Sequence, residues 1–249
     1  MVYRGLHPDQ SIRATLADLA AGDDRLEQPP ADASWCEARD RLPKALWPAS
    51  LDASVVRLER LIGQKHLAFG RPVYIADGST VSMPDTPSLV RAFGRAGNRH
   101  GRSRFPVARI TFLTRWGVET RIDSLKTTLQ MNVLRSQTAS HVRSEVAAIV
   151  LGHNLVWTLI HQAAQETGTP AARISFTGAV QTVLAFSGAL RYASPAARPA
   201  TYRRMLQAIA QHVNPHRPGR VEPRLVKRDP VRYCFLTIPR DKARQKCLS

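Results

Sequence analysis

Carboxylates are scarce in this chain beside its cations. Its 249 residues carry 19 Asp+Glu against 36 Lys+Arg, giving a formal net charge of +17 and a pI near 11.0. Such an imbalance suits a polyanionic partner, either nucleic acid or an anionic membrane surface. Arg far outnumbers Lys, and its planar fork favours phosphate. Cysteine is also scarce: Cys36, Cys234 and Cys247 form no C-x-x-C pair. That excludes a disulfide framework or zinc ribbon and reads as reduced thiols in a cytosolic protein. No apolar run approaches the ~20 residues of a spanning helix. The opening Met-Val-Tyr-Arg-Gly-Leu-His lacks the apolar centre of a signal peptide. The expectation is a cytoplasmic, nucleoid-associated protein without a membrane partner. Internal repeats and low-complexity tracts are missing too, yet 43% hydrophobic content can fill a sizeable core.

The apolar periodicity predicts helices over 8–21 (Ile12, Leu16 and Leu19 inward), 33–46 (Trp35, Ala38, Leu42) and 51–67 (Val55, Leu58, Ile62). Gly70-Arg71-Pro72 marks a change to strand at 73–76. A turn at Gly78 and a second strand at 80–83 follow, closed by Pro84 and Pro87. Residues 91–104 read as a loop with Arg91, Arg95, Arg99, Arg102 and Arg104 and no acid, before an apolar, β-branched strand at 105–114. Thr138 is the expected N-cap of a long helix running past Val142, Val146, Val150, Leu155 and Leu159 to about residue 166. Pro170 opens another helix to residue 190, and a short one spans 202–212. From residue 198 to the end stand 13 Lys/Arg and 3 acids, including Arg217, Arg220, Arg224, Lys227 and Arg228. That density of charge and Pro predicts an extended basic arm.

Four residues carry the chemistry: Asp77, Arg115, Glu119 and Lys126. Asp77 ends a short apolar run. Arg115, Glu119, Ile122 and Lys126, spaced 4, 3 and 4 apart, share one helical face. A carboxylate flanked by two cations suits a metal-assisted reaction on a phosphodiester. Between Asp85 and Asp123 the only acid is Glu119. Each residue also has a plain structural reading. Asp77 can close an Asx turn before Gly78, and Glu119 can pair with Arg115 on the surface. Asp85 can be a local cap and Asp123 an exposed helix residue. His212 and His216 have metal-pair spacing, which Pro215 spoils. Trp116, Trp157, Phe176 and Phe186 read as core aromatics.

The chain resembles DDE-type insertion-sequence transposases of the insertion-sequence-four group. The likeness rests on Trp35-Cys36-Glu37-Ala38-Arg39 with Arg41-Leu42-Pro43, on the run from Asp77 to Pro87, on residues 115–135 and on residues 217–228. The Arg-x3-Glu-x6-Lys spacing is similar to that group's signature around its catalytic Glu, with Phe112 where the family usually has Tyr. The resemblance implies an RNase H-like core that cuts and joins DNA at transposon ends. Mg²⁺ ions would sit between three carboxylates, Asp77 and Glu119 being two of them. Arg115 and Lys126 would orient the phosphate, and Arg91, Arg95, Arg99, Arg102, Arg104 and the tail cations would contact DNA.

This chain departs from the family where the second catalytic Asp and a β-rich insertion should lie, since Ile110 runs almost at once into the Arg115 motif. An internal deletion with its junction near 110–114 explains that. Thr177 and Asp123 stand where the family tends to have Lys and Arg. Two dications need three acids, so at least one metal position is expected to fail. The expected fold is α+β and mainly helical, with a short three-stranded antiparallel remnant of the RNase H-like core, marginal in stability because the Asp77 strand becomes an edge. The domain expectation is an N-terminal helical domain (1–70), a truncated catalytic domain (71–192) and a basic arm (193–249). The leading function is a disarmed DNA-binding transposase, alone as a homodimer or in mixed oligomers with an intact copy. The rival functions are a non-catalytic regulator of transposition and a working enzyme in which Asp123 or Asp85 replaces the lost acid.

Overall fold

A computed structural model describes residues 2–7, 10–20, 31–63, 67–68, 71–72, 74–98, 101–114 and 118–215. The protein is mainly helical, with a short two-stranded antiparallel sheet. In chain order the helices are α1 (Val2–Leu6), α2 (Ile12–Ala20), α3 (Asp32–Asp40), α4 (Leu46–Ile62), α5 (Pro87–Phe93), α6 (Val118–Asp123), α7 (Ala139–Thr167), α8 (Phe176–Tyr192) and α9 (Arg198–Gln211). The strands are β1 (Leu67–Ala68), β2 (Arg71–Pro72), β3 (Ile75–Ser82), β4 (Gly97–Asn98), β5 (Gly101–Arg102) and β6 (Val107–Thr114). The pairs β1–β2, β3–β6 and β4–β5 form three separate antiparallel sheets. Residues 216–249, which include most of the expected basic arm, lie outside the described residues. The short helix expected within that arm is α9, and it packs on α7 and α8 as part of the main body.

α7 is the hub, in contact with α1, α4, α8 and α9. The Thr138 hydroxyl accepts the His141 N–H and caps its first turn, as the sequence predicted. At the other end Gly168, at φ 72°, gives the left-handed conformation that lets the chain leave the helix. Val142, Ile149, Val156, Ile160 and Ala163 make the buried stripe, whereas Leu155, expected inward, is exposed. A 29-residue helix drifts against a fixed apolar spacing, and here the inward stripe follows Val156. By length and composition alone α7 is apolar enough to cross a membrane, and 44% of its most apolar window is buried inside the protein.

α4 lies against α7 through Leu58, Ile62 and Ser54. The buried Ser54 hydroxyl donates to the Leu51 carbonyl at 2.7 Å and accepts from Asn154 Nδ2 at 3.0 Å. Val55 turns outward, contrary to the apolar spacing, because Ser54 with these two bonds takes the inner position. In α3, likewise, Ala38 is exposed, and Leu42 lies exposed just beyond the helix end.

β3 is one continuous strand, not two strands broken by a turn at Gly78. Gly78 stays in the ladder opposite Thr111, and its N–H donates to Oδ1 of Asp77 at 2.7 Å, which caps the group without bending the chain. The three expected strands are therefore two, because the stretches on either side of Gly78 merge into β3, and Ser82 adds only a single parallel bridge to Val133. Ser82 donates from its N–H to the Asn132 carbonyl at 2.9 Å and accepts the Leu134 N–H at 2.8 Å. The stretch expected as a loop at 91–104 contains the end of α5 and the β4–β5 hairpin. Pro170 starts a 3-10 turn, Ala171–Arg173, and α8 itself begins beyond Ser175, whose hydroxyl accepts the Gly178 N–H at 3.2 Å.

α9 closes the body at the start of α8. Ile174 bridges Val213, and the Ser175 N–H donates to the His212 carbonyl at 2.7 Å. His212 then lies directly on Gly178. A Cβ there would meet its Cγ at 2.5 Å and its Cβ at 2.6 Å. Because the His212 backbone is pinned, the ring cannot retreat. Gly178→Ala is expected to destabilise the protein by about 1–3 kcal/mol, measured as a lowered urea midpoint with unchanged slope. A stability equal to the parent chain would show that the two helix ends do not depend on this contact.

Candidate functional site

The β3–β6 register decides what Asp77 can face. Directly paired residues share a side of the sheet, so Asp77, Ser79 and Val81 stand with Phe112, Ile110 and Ala108. This is the side that packs on the helical body. Val81 is 1% exposed and Ser79 5%, while Asp77 is exposed. The carboxylate therefore sits at the rim where the buried face opens to solvent. Ser79 Oγ, two residues inward, is buried without a hydrogen-bond partner. On the opposite side, Thr80 pairs with Arg109, which is exposed.

α6 carries Glu119 and packs on both β3 and β6. Ile122, one turn later, is buried. The side chain of Glu119 lies outside the described residues, as do Arg115, Trp116 and Arg99 and the Arg102 side chain. The expected single helical face from 115 to 126 is not one α-helix. α6 becomes a π-helix at Ser124–Thr128, where the Leu129 N–H reaches back to the Ser124 carbonyl at 3.1 Å. This wider turn keeps Leu125, Leu129 and Met131 buried while rotating Lys126 out of α-helical phase with Glu119. Gln130 leaves the turn at φ 49°, a left-handed conformation rare for a side-chain-bearing residue.

Asp85 and Asp123, the two acids offered as replacements in the working-enzyme reading, are otherwise engaged. Asp85 takes the Arg95 guanidinium, with Nη2 at 2.6 Å from Oδ1 and 2.8 Å from Oδ2. It lies beyond the far end of β3 from Asp77, and five residues of strand at ~3.3 Å each already separate Asp77 from Ser82. Asp85 is not the cap the sequence suggested. That role belongs to Thr86, whose hydroxyl accepts the Leu89 N–H at 3.3 Å and donates to the Gln137 carbonyl at 2.8 Å. Arg95, expected to contact phosphate, is the partner of Asp85. Asp123 Oδ1 accepts the Thr127 hydroxyl at 2.8 Å. Arg91 and Arg104 are exposed. The tail positions Arg217, Arg220, Arg224, Lys227 and Arg228, with His216, Cys234 and Cys247, lie outside the described residues.

Sequence reasoning missed Arg121 and His153, which fix α6 to the body. Arg121 lies over the Trp157 ring, 4.6 Å from guanidinium carbon to ring centroid. The Trp157 indole N–H donates to His153 Nε2 at 3.1 Å. An indole nitrogen can only donate, so Nε2 is the bare nitrogen and the proton sits on Nδ1, near Asn154 Oδ1. Phe176 packs on both rings, at 5.2 and 5.8 Å. The legible signal was His153 and Trp157 at i, i+4 within one helix.

Burial first, and the Arg121 charge second, push the His153 imidazole down to about 3, against a smaller raising effect of Asn154. The unfolded chain protonates this ring near its ordinary value of about 6.5, while the folded chain holds it neutral. The contribution is complete above the unfolded value and is lost as pH falls from there toward the folded value. Between pH 6.5 and 4.5 His153 alone is expected to remove about 2–3 kcal/mol of stability. Denaturant midpoints across that range check this, and His153→Gln, which cannot titrate, should flatten the slope. An equal slope in the variant would assign the acid sensitivity elsewhere.

Comparison of the chain with protein-family models, with curated proteins and with solved structures finds no match in any of the three.

Proposed function

We propose that this chain is a transposase-derived DNA-binding protein that holds transposon ends without cutting them. The observation that carries the proposal is the rim of the β3–β6 sheet. Asp77 emerges there from the buried face, the Glu119 helix packs on the same two strands, and the surrounding segment is strongly basic. Residues 71–114 contain seven arginines and two acids. Asp85, one of the two, is occupied by Arg95. Exposed Arg91, Arg104 and Arg109 then face solvent with little local carboxylate to neutralise them. Phosphate contacts of this kind give affinity without sequence preference.

Mg²⁺ is the family's cofactor, and Asp77 and Glu119 are the two carboxylates that would hold it. Carboxylate oxygens suit this hard cation, but a pair of dications needs three acids around the phosphate. Asp85 and Asp123 are tied to Arg95 and Thr127. The donor set does not fit two ions, so binding without strand cleavage is the expected behaviour. A protein that occupies transposon ends in this way competes with an intact transposase for them.

Binding to duplex DNA should weaken steeply with salt, by roughly a thousandfold between 50 and 200 mM if about six phosphates are contacted. Changing Arg91, Arg104 and Arg109 together to Gln should lower the slope of log affinity against log salt by about 3. Fluorescence anisotropy reads both, and a flat salt response sinks DNA binding. Nicking of a plasmid carrying terminal inverted repeats should be absent in Mg²⁺. Robust nicking that disappears in Glu119→Ala would overturn the inactivity.

A further inference from the structure

A cavity of about 50 Å³ lies where α1, α3, α7 and the turn after the π-helix meet. Its walls include Trp35 and Arg39 of α3, Arg135, Glu145 and an apolar floor of Leu129 and Ile149. Arg39 is one of the lining residues, and its Nε is buried without an acceptor. An unmet charged donor on a residue that lines a cavity and carries four further N–H groups points to a missing acceptor. The α3 end that carries it is held in place by the next residue, Asp40, whose Oδ1 contacts His141 Nε2 on α7.

The remaining charges say what kind of acceptor fits. Glu145 is the one acid in the lining. Its two oxygens already accept the Arg135 N–H at 3.1 and 3.3 Å and the Ser136 N–H at 2.9 Å. Against it stand two arginines among the lining residues, Arg39 and the exposed Arg135, so the lining is net cationic. The volume exceeds what a single water needs and so leaves room for a small oxyanion. A guanidinium presents Nε and Nη side by side to two oxygens of such a group.

We propose that this cavity is a site for a phosphate-type oxyanion, with Arg39 as the forked donor and Arg135 as the second cation. It is separate from the Asp77 rim and stands whether or not the protein binds DNA. The oxyanion can be a free ion or a phosphate of a nucleic-acid backbone.

Calorimetric titration of the full chain with inorganic phosphate, at fixed ionic strength in chloride, tests the site. Saturable binding is expected, weakened roughly tenfold or more in Arg39→Gln and less in Arg39→Lys, which keeps the charge without the fork. Far-ultraviolet circular dichroism confirms that the variants fold. If Arg39→Gln does not, the exposed Arg135→Gln is read instead, with a smaller loss expected. No saturable binding by the parent chain, or binding that neither variant weakens, overturns the site. A second arm measures a short duplex with the same variants. Loss of both phosphate and duplex binding in Arg39→Gln identifies a backbone phosphate as the occupant, and loss of phosphate alone identifies a free oxyanion. A parent chain that takes phosphate but no duplex retires the DNA-binding proposal and leaves this site standing.

Discussion

Burial of the inner stripe of α7 is the constraint on which the rest of the structure depends. A two-stranded sheet cannot enclose a core by itself, and among the described residues β3 and β6 have no partner strand beyond the bridge at Ser82. Their apolar side must be covered by helices, and α7 gathers those helices. Val81 and Met83 reach the same cluster as Leu125, Leu129 and Met131 from the π-turn and Val142, Ile149 and Ile160 from α7. Each such side chain contributes about 1.5–3 kcal/mol when fully withdrawn from water. Sheet, turn and helix therefore form a single cooperative unit, and the position of Asp77 follows from it. The residue stands at the point where β3 leaves that cluster.

Much of this was legible in the chain, for identifiable reasons. Long helices with a cap announce themselves, and Thr138 with its apolar repeat gave α7 nearly to the residue. β-branched runs gave β6. The misreadings arose where tertiary contacts override local chemistry. Gly78 suggests a turn by composition, but a full ladder with β6 keeps it extended. Residues 115–126 suggest one regular helix by spacing. The need to bury Leu125, Leu129 and Met131 together widens its second half into a π-turn. Nothing local announces Arg121 over Trp157 or the cavity around Arg39, because their partners come from distant parts of the sequence.

Scarce acids make their placement consequential. Among the described residues, several carboxylates act as local fasteners. Asp85 holds Arg95, Glu145 holds the backbone at 135–136, Asp40 meets His141 and Glu59 accepts the Tyr74 hydroxyl. A carboxylate committed in this way does little to screen cations elsewhere. The protein thus combines locally satisfied acids with exposed arginines between residues 91 and 109. On the proposed function this division is useful, because the fold is fastened by pairs that do not compete with phosphate for Arg91, Arg104 or Arg109.

On the proposed function, the same division bears on whether a third carboxylate can be recovered. Releasing Asp85 would break its contact with Arg95 and free a cation rather than bring an anion to Asp77, since β3 holds the two acids at opposite ends. Releasing Asp123 is easier, because it gives up only the Thr127 hydroxyl. That residue, however, stands four positions beyond Glu119, where α6 passes into the π-turn. Its carboxylate is bonded to Thr127 within the turn that buries Leu125 and Leu129. Local repair therefore works against the packing that keeps the sheet covered. On the proposed reading, restoring cleavage takes an inserted strand beside β3 rather than a substitution within the existing one.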